Sequence, residues 1–240
     1  MKIIISPSKK QNFDRLTKID EVSYLDYEKT INLFSIINNM DKKTLAKKFN
    51  LKGQLLEETS KLYQLFEVNN KRAKAIDLYS GVAFDQINHH SYNDMEIDFL
   101  NKNLVILSAM YGAVKPFDYI WPYRLDFNVK LDQLDLYKYW EKEIDGFFKE
   151  EDIIINLASN EFSKLLNNQK DKFININFYE KKHNKLKVVS YNAKKARGLM
   201  VNEIVTKKIL DPFKIKALII DGYKYDKSSS NDKEFNFIKF

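Results

Sequence analysis

The sequence contains no cysteine. Disulfides, thiolate metal sites, cysteine nucleophiles and thiol redox sensing are therefore excluded. Glycine and proline are scarce, at 6 and 4 residues, so each one punctuates something. No repeat, low-complexity tract or Pro/Gly-rich linker divides the chain. No apolar run reaches the roughly 18 residues of a membrane span. The opening Met1–Pro7 has too short an apolar stretch for a signal peptide. These absences predict a soluble cytoplasmic protein with no membrane partner. A phosphate-binding loop of the G-x-x-x-x-G-K-[ST] type is missing, and so is a dinucleotide glycine fingerprint. The three histidines do not make a metal set: His89 and His90 are adjacent, so they point apart on a strand or about 100° apart on a helix, and His183 is isolated. No metal and no cofactor is expected.

Arginine is also scarce, at positions 15, 72, 124 and 197 only. The rest of the 40 positive residues are lysines, set against 33 acids for a net charge of +7. That excess permits anion binding without demanding it. In so lysine-rich a background an arginine is worth inspecting for its planar, bidentate fork. What is plentiful is apolar and aromatic: 44% hydrophobic residues and 14% aromatics argue against disorder. A chain of 240 residues makes one large domain or two small ones.

Strands alternate with helices along most of the chain, which is the α/β pattern. Lys2–Ile5 reads as a buried strand ended by Ser6 and Pro7. From 26 to 70 the pattern turns helical, with Ile31, Phe34 and Ile37 on one face, Leu45 and Phe49 on another, and Leu55, Thr59, Leu62 and Phe66 on a third. This block is expected as a helical lobe inserted in a single domain spanning 1–240. Ala75–Tyr79, Leu104–Leu107, Asp152–Leu157 and Lys187–Tyr191 are expected as strands, and so are Lys216–Ile220 and Phe235–Ile238. Leu136, Trp140, Ile144 and Phe147 line one helical face. A further helix is expected from about Ala193 to Ile209. Whether the sheet is purely parallel stays open; the fold class is α/β with mixed α+β character.

Several strands end in small or polar residues: Ser6 with Ser8 and Lys9, Ser108 with Tyr111, Asn156 with Ser159, and Asn192 with Lys194. In open α/β sheets ligands bind beyond the carboxyl ends of strands, so these ends together suggest one polar crevice. Ordinary turn chemistry is the alternative for any one of them. The stretch Tyr191–Gly198 places Lys194, Lys195 and Arg197 early in a helix, where the dipole disfavours cations. An anion docked on the free N–H groups, phosphate above all, would explain them. Lysines splayed into water are the alternative. Arg124 sits in a stiff segment after two prolines, poised as a clamp or paired with Asp118 or Asp126. With so few histidines, an acid–base group would be a lysine, a tyrosine or a carboxylate such as Glu161. Lys42, Lys43, Lys47, Lys48 and Lys52 form either a phosphate-contacting patch or a solvated helix face.

With these residues in place, the chain resembles the YaaA family of peroxide stress resistance proteins. The resemblance rests on Ile4–Lys9, Leu78–Gly81, Leu107–Gly112, Lys115–Asp118, Pro122–Leu125 and Leu136–Trp140, then Ile155–Phe162, Ala193–Met200 and Ser228–Asn231. It implies a cytoplasmic protein with one mixed α/β domain of unusual topology. It implies a role limiting iron-driven damage by peroxide, and DNA binding through a basic cleft and a helix-hairpin-helix element. The hairpin would fall around Leu51-Lys52-Gly53, with Gly53 as the single glycine where the motif normally has two. Lys10 stands where the family usually has threonine, and Asn202-Glu203 where it usually has a basic residue. The family pattern also marks Ser6, Lys9, Tyr111, Arg124, Asn156, Ser159, Glu161, Lys194, Lys195 and Arg197. Of these, Lys9, Glu161 and Tyr111 are the catalytic candidates, and the serines, Asn156 and cations would hold an anion. Two functions therefore stay open: a DNA-binding stress protein, and an enzyme or binder for a small phosphorylated, nucleotide-like ligand. The chain is expected to act as a monomer.

Overall fold

Ile3, Ile4 and Ile5 are almost wholly buried, as a strand covered on both faces requires. The computed structural model describes residues 1–19, 22–66, 70–183 and 185–240. In it the Lys2–Ile5 strand lies between two parallel neighbours, Leu104–Ser108 and Ile154–Asn156. The register sets Ile5 beside Ile106 and Ile4 beside Asn156. Phe173–Lys182 extends the parallel set from Ile154–Asn156, and Glu234–Lys239 extends it further. Antiparallel strands finish both sides: Gly112–Val114 at one edge, Tyr223–Tyr225 and Ile219–Ile220 at the other, with Lys185–Lys187 beside Phe173–Lys182. Among the described residues the sheet has nine strands. The fold is α/β, with a mixed sheet.

Five expected elements differ. Ala75–Leu78 is a short helix, and only Tyr79–Ser80 is extended. So short an apolar run does not distinguish a strand from a buried helical turn. Pro212–Ala217 is a 3₁₀ helix capped by Asp211, whose carboxylate accepts the Phe213 N–H at 3.0 Å. That cap and the proline inside it leave only Ile219–Ile220 as strand. The long helix starts at Ser190, three residues before the expected Ala193, and ends at Thr206. The preceding strand is accordingly Lys185–Lys187, not Lys187–Tyr191. On the Leu136–Phe148 helix, Phe148 rather than Phe147 completes the buried face.

Two of the elements not expected from the sequence carry readable signals. Phe173–Lys182 carries Ile174, Ile176 and Phe178 on one face and Asn175 and Asn177 on the other, where both amides donate to Glu234. Strict alternation was its signal. The Asp94–Asn103 helix opens with a capping box between Asn93 and Glu96, which is also readable in sequence.

The 26–70 block forms three helices, Tyr27–Asn38, Lys42–Phe49 and Gly53–Phe66; residues 67–69 lie outside the described set. Asp26 and Asp41 cap the first two through the Lys29 and Thr44 N–H groups. Phe34 stacks on Phe66 at 3.7 Å between centroids and lies edge-on to Tyr111. Trp121 donates its indole N–H to the Leu62 carbonyl at 3.0 Å. The three helices therefore share the main core rather than forming one of their own.

The Ser190–Thr206 helix packs closely on the segment after Tyr79–Ser80. A Cβ at Gly198 would overlap the backbone carbonyl of Ala83. Gly146, also helical, faces open space. Gly198→Ala is expected to cost about 1–3 kcal/mol, and each kcal/mol moves Tm by roughly 2–4 °C in a chain of this size. Gly146→Ala is expected to gain about 0.5–1 kcal/mol. Thermal melts of the two variants check this; equal shifts would show that the Ala83 segment yields freely.

Candidate functional site

Because the first strand runs parallel to Ile154–Asn156, the residues after both emerge at one edge of the sheet. There Ser6 accepts the Ser159 N–H at 2.8 Å and donates to the Ser159 hydroxyl at 3.2 Å. A cavity of about 490 Å³ opens beside this pair. Ser6–Gln11 forms one wall, Gly81–Phe84 a second and Tyr123–Asp126 a third. Leu157, Ser159 and Glu161 close the floor, and Lys194 and Arg197 reach in from the long helix. The Ser8 hydroxyl donates to the Ser80 carbonyl and accepts the Lys10 N–H at 3.2 Å, which joins the first two walls.

Helix geometry selects the cations. Lys194 and Arg197 are three residues apart and share a face, with Gly198 four from Lys194. Lys195 lies round the helix and pairs with Asp221 at 3.3 Å, outside the cavity. The free N–H groups at the start of the helix belong to Ser190–Asn192 and do not line the cavity. The N–H groups expected to seat an anion thus lie away from the cavity, and the long helix meets it instead through the Lys194 and Arg197 side chains. Arg197 Nε is buried without a hydrogen-bond partner, and burial lowers the pKa of its guanidinium. Arg124 forms no ion pair among the described residues: Asp126 binds Lys9 at 2.5 Å, and Asp118 accepts the Lys115 N–H at 2.7 Å. Both expected partners of Arg124 are engaged elsewhere.

Glu161 has one carboxylate oxygen, Oε1, buried without a partner. Burial first, and then the charge of Asp126, raise its pKa; Lys9 and the Asn128 and Phe127 N–H groups act in the opposite sense. Arg124, Arg197, Lys194 and a carboxyl whose pKa is raised by burial thus line one space. That arrangement suits a small anion with a proton-exchanging or hydrogen-bonding group attached.

Other expected residues lie elsewhere. The buried Tyr111 hydroxyl donates to the Trp121 carbonyl and accepts the Trp121 N–H, at 2.9 and 3.0 Å. Asn156 spends its amide on Asn175 at 2.7 Å and its carbonyl on the Ala158 N–H at 3.0 Å. Asn192 anchors to Glu180 at 2.6 Å, and the Ser108 hydroxyl meets that of Tyr123 at 2.7 Å. Sequence reasoning missed Val82–Phe84 and Gln11 as lining residues, and read Asp126 only as a partner for Arg124. Gly81 carried a signal: its φ of +116° is one that glycine adopts without strain.

The lysine-rich helix Lys42–Phe49 is joined to Gly53–Phe66 by Asn50-Leu51-Lys52. Asn50 is left-handed at φ 51° and so is Gly53 at φ 54°, so asparagine supplies the second left-handed residue that glycine usually provides. Lys42 pairs with Glu57 and Lys48 with Asp132. Lys43, Lys47 and Lys52 are exposed.

His89 and His90 do not point apart. Their rings sit 3.9 Å apart between centroids, and both Nε2 atoms face Asp77 Oδ1, at 2.9 and 3.5 Å. The tight 3₁₀ turn His89–Ser91 brings neighbours together that a strand would separate.

The fold and its strand-end cavity define a class of mixed-sheet α/β proteins with a cationic pocket. The family model for the peroxide stress protein YaaA matches residues 1–229. A UPF0246 protein of Fusobacterium nucleatum is 33% identical over 246 residues, covering 100% of this chain and 99% of the relative. UPF0246 proteins of Rickettsia bellii and Rickettsia felis are 35% and 34% identical, each covering the full length of both chains. The chain belongs to the YaaA peroxide stress protein family.

Glu161 generates a pH prediction. Its folded pKa is raised, so the folded state binds more protons than the unfolded one above the ordinary carboxyl pKa of about 4.3. Stability therefore falls as pH rises through that window. Glu161→Gln removes the penalty. The Tm difference between variant and wild type should be near zero at about pH 4 and positive at neutral pH, as pH-resolved melts would reveal. A difference of opposite sign at neutral pH contradicts the assignment.

Proposed function

We propose that this protein acts in peroxide stress through the strand-end cavity, by binding a small phosphorylated ligand of nucleotide size. The observation that carries this reading is the partly buried Arg197, whose Nε has no protein partner and which shares the cavity with Arg124 and Lys194. A guanidinium removed from water without an acid beside it is costly unless something else completes it. A phosphate or carboxylate does so with a bidentate fork. The cavity volume falls within the roughly 300–1,000 Å³ of small-molecule sites. Arg197, Arg124 and Lys194 take the anionic group. Ser6 and Ser159 hold the rim, and Glu161 exchanges a proton with the ligand or accepts its N–H, with Lys9 held at Asp126 as the second proton carrier. In the cytoplasm, this binding would serve the limitation of iron-driven oxidative damage.

A second reading has its own observation. The paired left-handed residues Asn50 and Gly53 shape a hairpin that presents Lys43, Lys47 and Lys52 to solvent, which suits non-specific contact with DNA phosphates.

Thermal shift with adenosine monophosphate, inorganic phosphate and a short duplex DNA tests both. A nucleotide at a hundred times its Kd should stabilise by about 2.7 kcal/mol, or roughly 5–10 °C, and Arg197→Ala should abolish the shift while keeping the fold. DNA retention should weaken with salt and drop in a Lys43→Glu, Lys47→Glu, Lys52→Glu variant. No response to any small anion overturns the first reading; salt-independent or absent DNA binding overturns the second.

A further inference from the structure

We infer that Asp77, His89 and His90 form a binding site for one borderline-soft divalent cation such as Zn²⁺, outside the strand-end cavity. One ligand atom from each of the three residues lies within 4.8 Å of the others. A tetrahedral ion with metal–ligand bonds of about 2.1 Å holds its donors roughly 3.4 Å apart. The two imidazole-to-carboxylate distances, 2.9 and 3.5 Å, straddle that value. A small rotation of the exposed His90 ring would bring all three donors onto one ion.

The frame around the donors is organised before any ion arrives. His89 Nδ1 faces the Ile87 carbonyl at 3.4 Å; without an ion Nε2–H donates to Asp77 at 2.9 Å, and with one the proton moves to Nδ1, facing that carbonyl, and the Nε2 lone pair takes the metal. Outer partners of this kind orient metal-ligating histidines. The His89 N–H also donates to the Ile87 carbonyl, at 2.9 Å. Asn202 receives the Asn88 N–H and the Tyr92 hydroxyl, at 3.3 and 2.7 Å. The turn that carries both histidines is thereby tied to the long helix on either side. Asp77 comes from the Ala75–Leu78 helix, whose other residues are buried.

Ligand chemistry sets the class of ion. Two imidazoles and one carboxylate suit Zn²⁺, Fe²⁺, Co²⁺ or Ni²⁺, whereas Mg²⁺ and Ca²⁺ prefer all-oxygen sets. The positive charge of Arg15 also acts on Asp77, which weakens an ion held by charge alone more than one held by imidazole. Among the described residues three protein ligands are present, so solvent would complete the coordination. A bound ion would cross-link the ends of the segment 77–90, which carries the Gly81–Phe84 wall of the cavity.

Isothermal titration of the tag-free full chain with Zn²⁺ tests the site. One saturable site per chain is expected. His90→Ala removes a mostly exposed side chain, so the fold should persist while affinity falls by about tenfold or more. The His89→Ala, His90→Ala double variant should show no saturable binding, and Mg²⁺ in excess should not displace Zn²⁺ from the wild type. The inference is overturned if the wild type shows no saturable binding. It is equally overturned if His90→Ala binds as tightly as the wild type, or if Mg²⁺ displaces the ion.

Discussion

Burial of Ile3, Ile4 and Ile5 between two parallel neighbours is the constraint on which the rest of the molecule depends. Parallel strands point the same way, so their carboxyl ends must emerge at the same edge. Ser6 and Ser159 meet there because Ile4 lies beside Asn156. Everything that lines the cavity is then brought to that edge by separate means. The Ser8 hydroxyl ties its loop to Ser80. Tyr63 accepts the Arg124 N–H and donates to the Arg124 carbonyl, at 3.3 and 2.8 Å, so the helical lobe sets the Arg124 backbone. Gly198 lets the long helix approach Ala83 closely enough for Lys194 and Arg197 to enter.

The electrostatics of the cavity are unbalanced toward cations. Lys9 is matched by Asp126, whereas Arg124, Lys194 and Arg197 form no ion pair among the described residues. Lys195, one position from Lys194, has Asp221 as its partner. Acids are thus within reach of this helix, yet none stands against Arg197. Perturbed and unpartnered groups gathered in a cleft point to a site rather than to packing. Glu161 belongs to the same pattern with the opposite charge: a carboxyl whose pKa burial raises, with Oε1 buried and unpartnered in the same cavity.

The parallel core was legible in the sequence because its strands are short, apolar and ended by polar residues: Lys2–Ile5 at Ser6, and Ile154–Asn156 near Ser159. Those same endings pointed to Ser6, Ser8, Lys9, Ser159 and Lys194, while the early-helix cations pointed to Arg197 and the proline-stiffened segment to Arg124; all of these line one cavity. Asn156 and Tyr111 belong to the same sequence patterns but spend their polar atoms on neighbouring backbone and side chains. A residue type at a strand end does not reveal which way its side chain turns. Lys195 differs from Lys194 only by about 100° around the helix, and an error of three residues in the helix start hid that distinction. Ala75–Leu78 and the start of the expected Lys216–Ile220 strand were misread because buried turns and short strands share one apolar pattern. The meeting of His89 and His90 on Asp77 depends on a 3₁₀ turn and on a partner 12 residues away, neither visible from spacing.

The central claim is that Arg197 awaits a small anion. Its most direct test is ¹⁵N NMR of the arginine Nε–H groups. The chain has only four arginines, so each resonance is assignable by single substitution. Titration with adenosine monophosphate should shift the Arg197 Nε–H resonance saturably and slow its exchange with water, and should move Arg124 with it. The Arg15 and Arg72 resonances should stay in place. An Arg197 resonance unmoved by the nucleotide and by inorganic phosphate would contradict the claim.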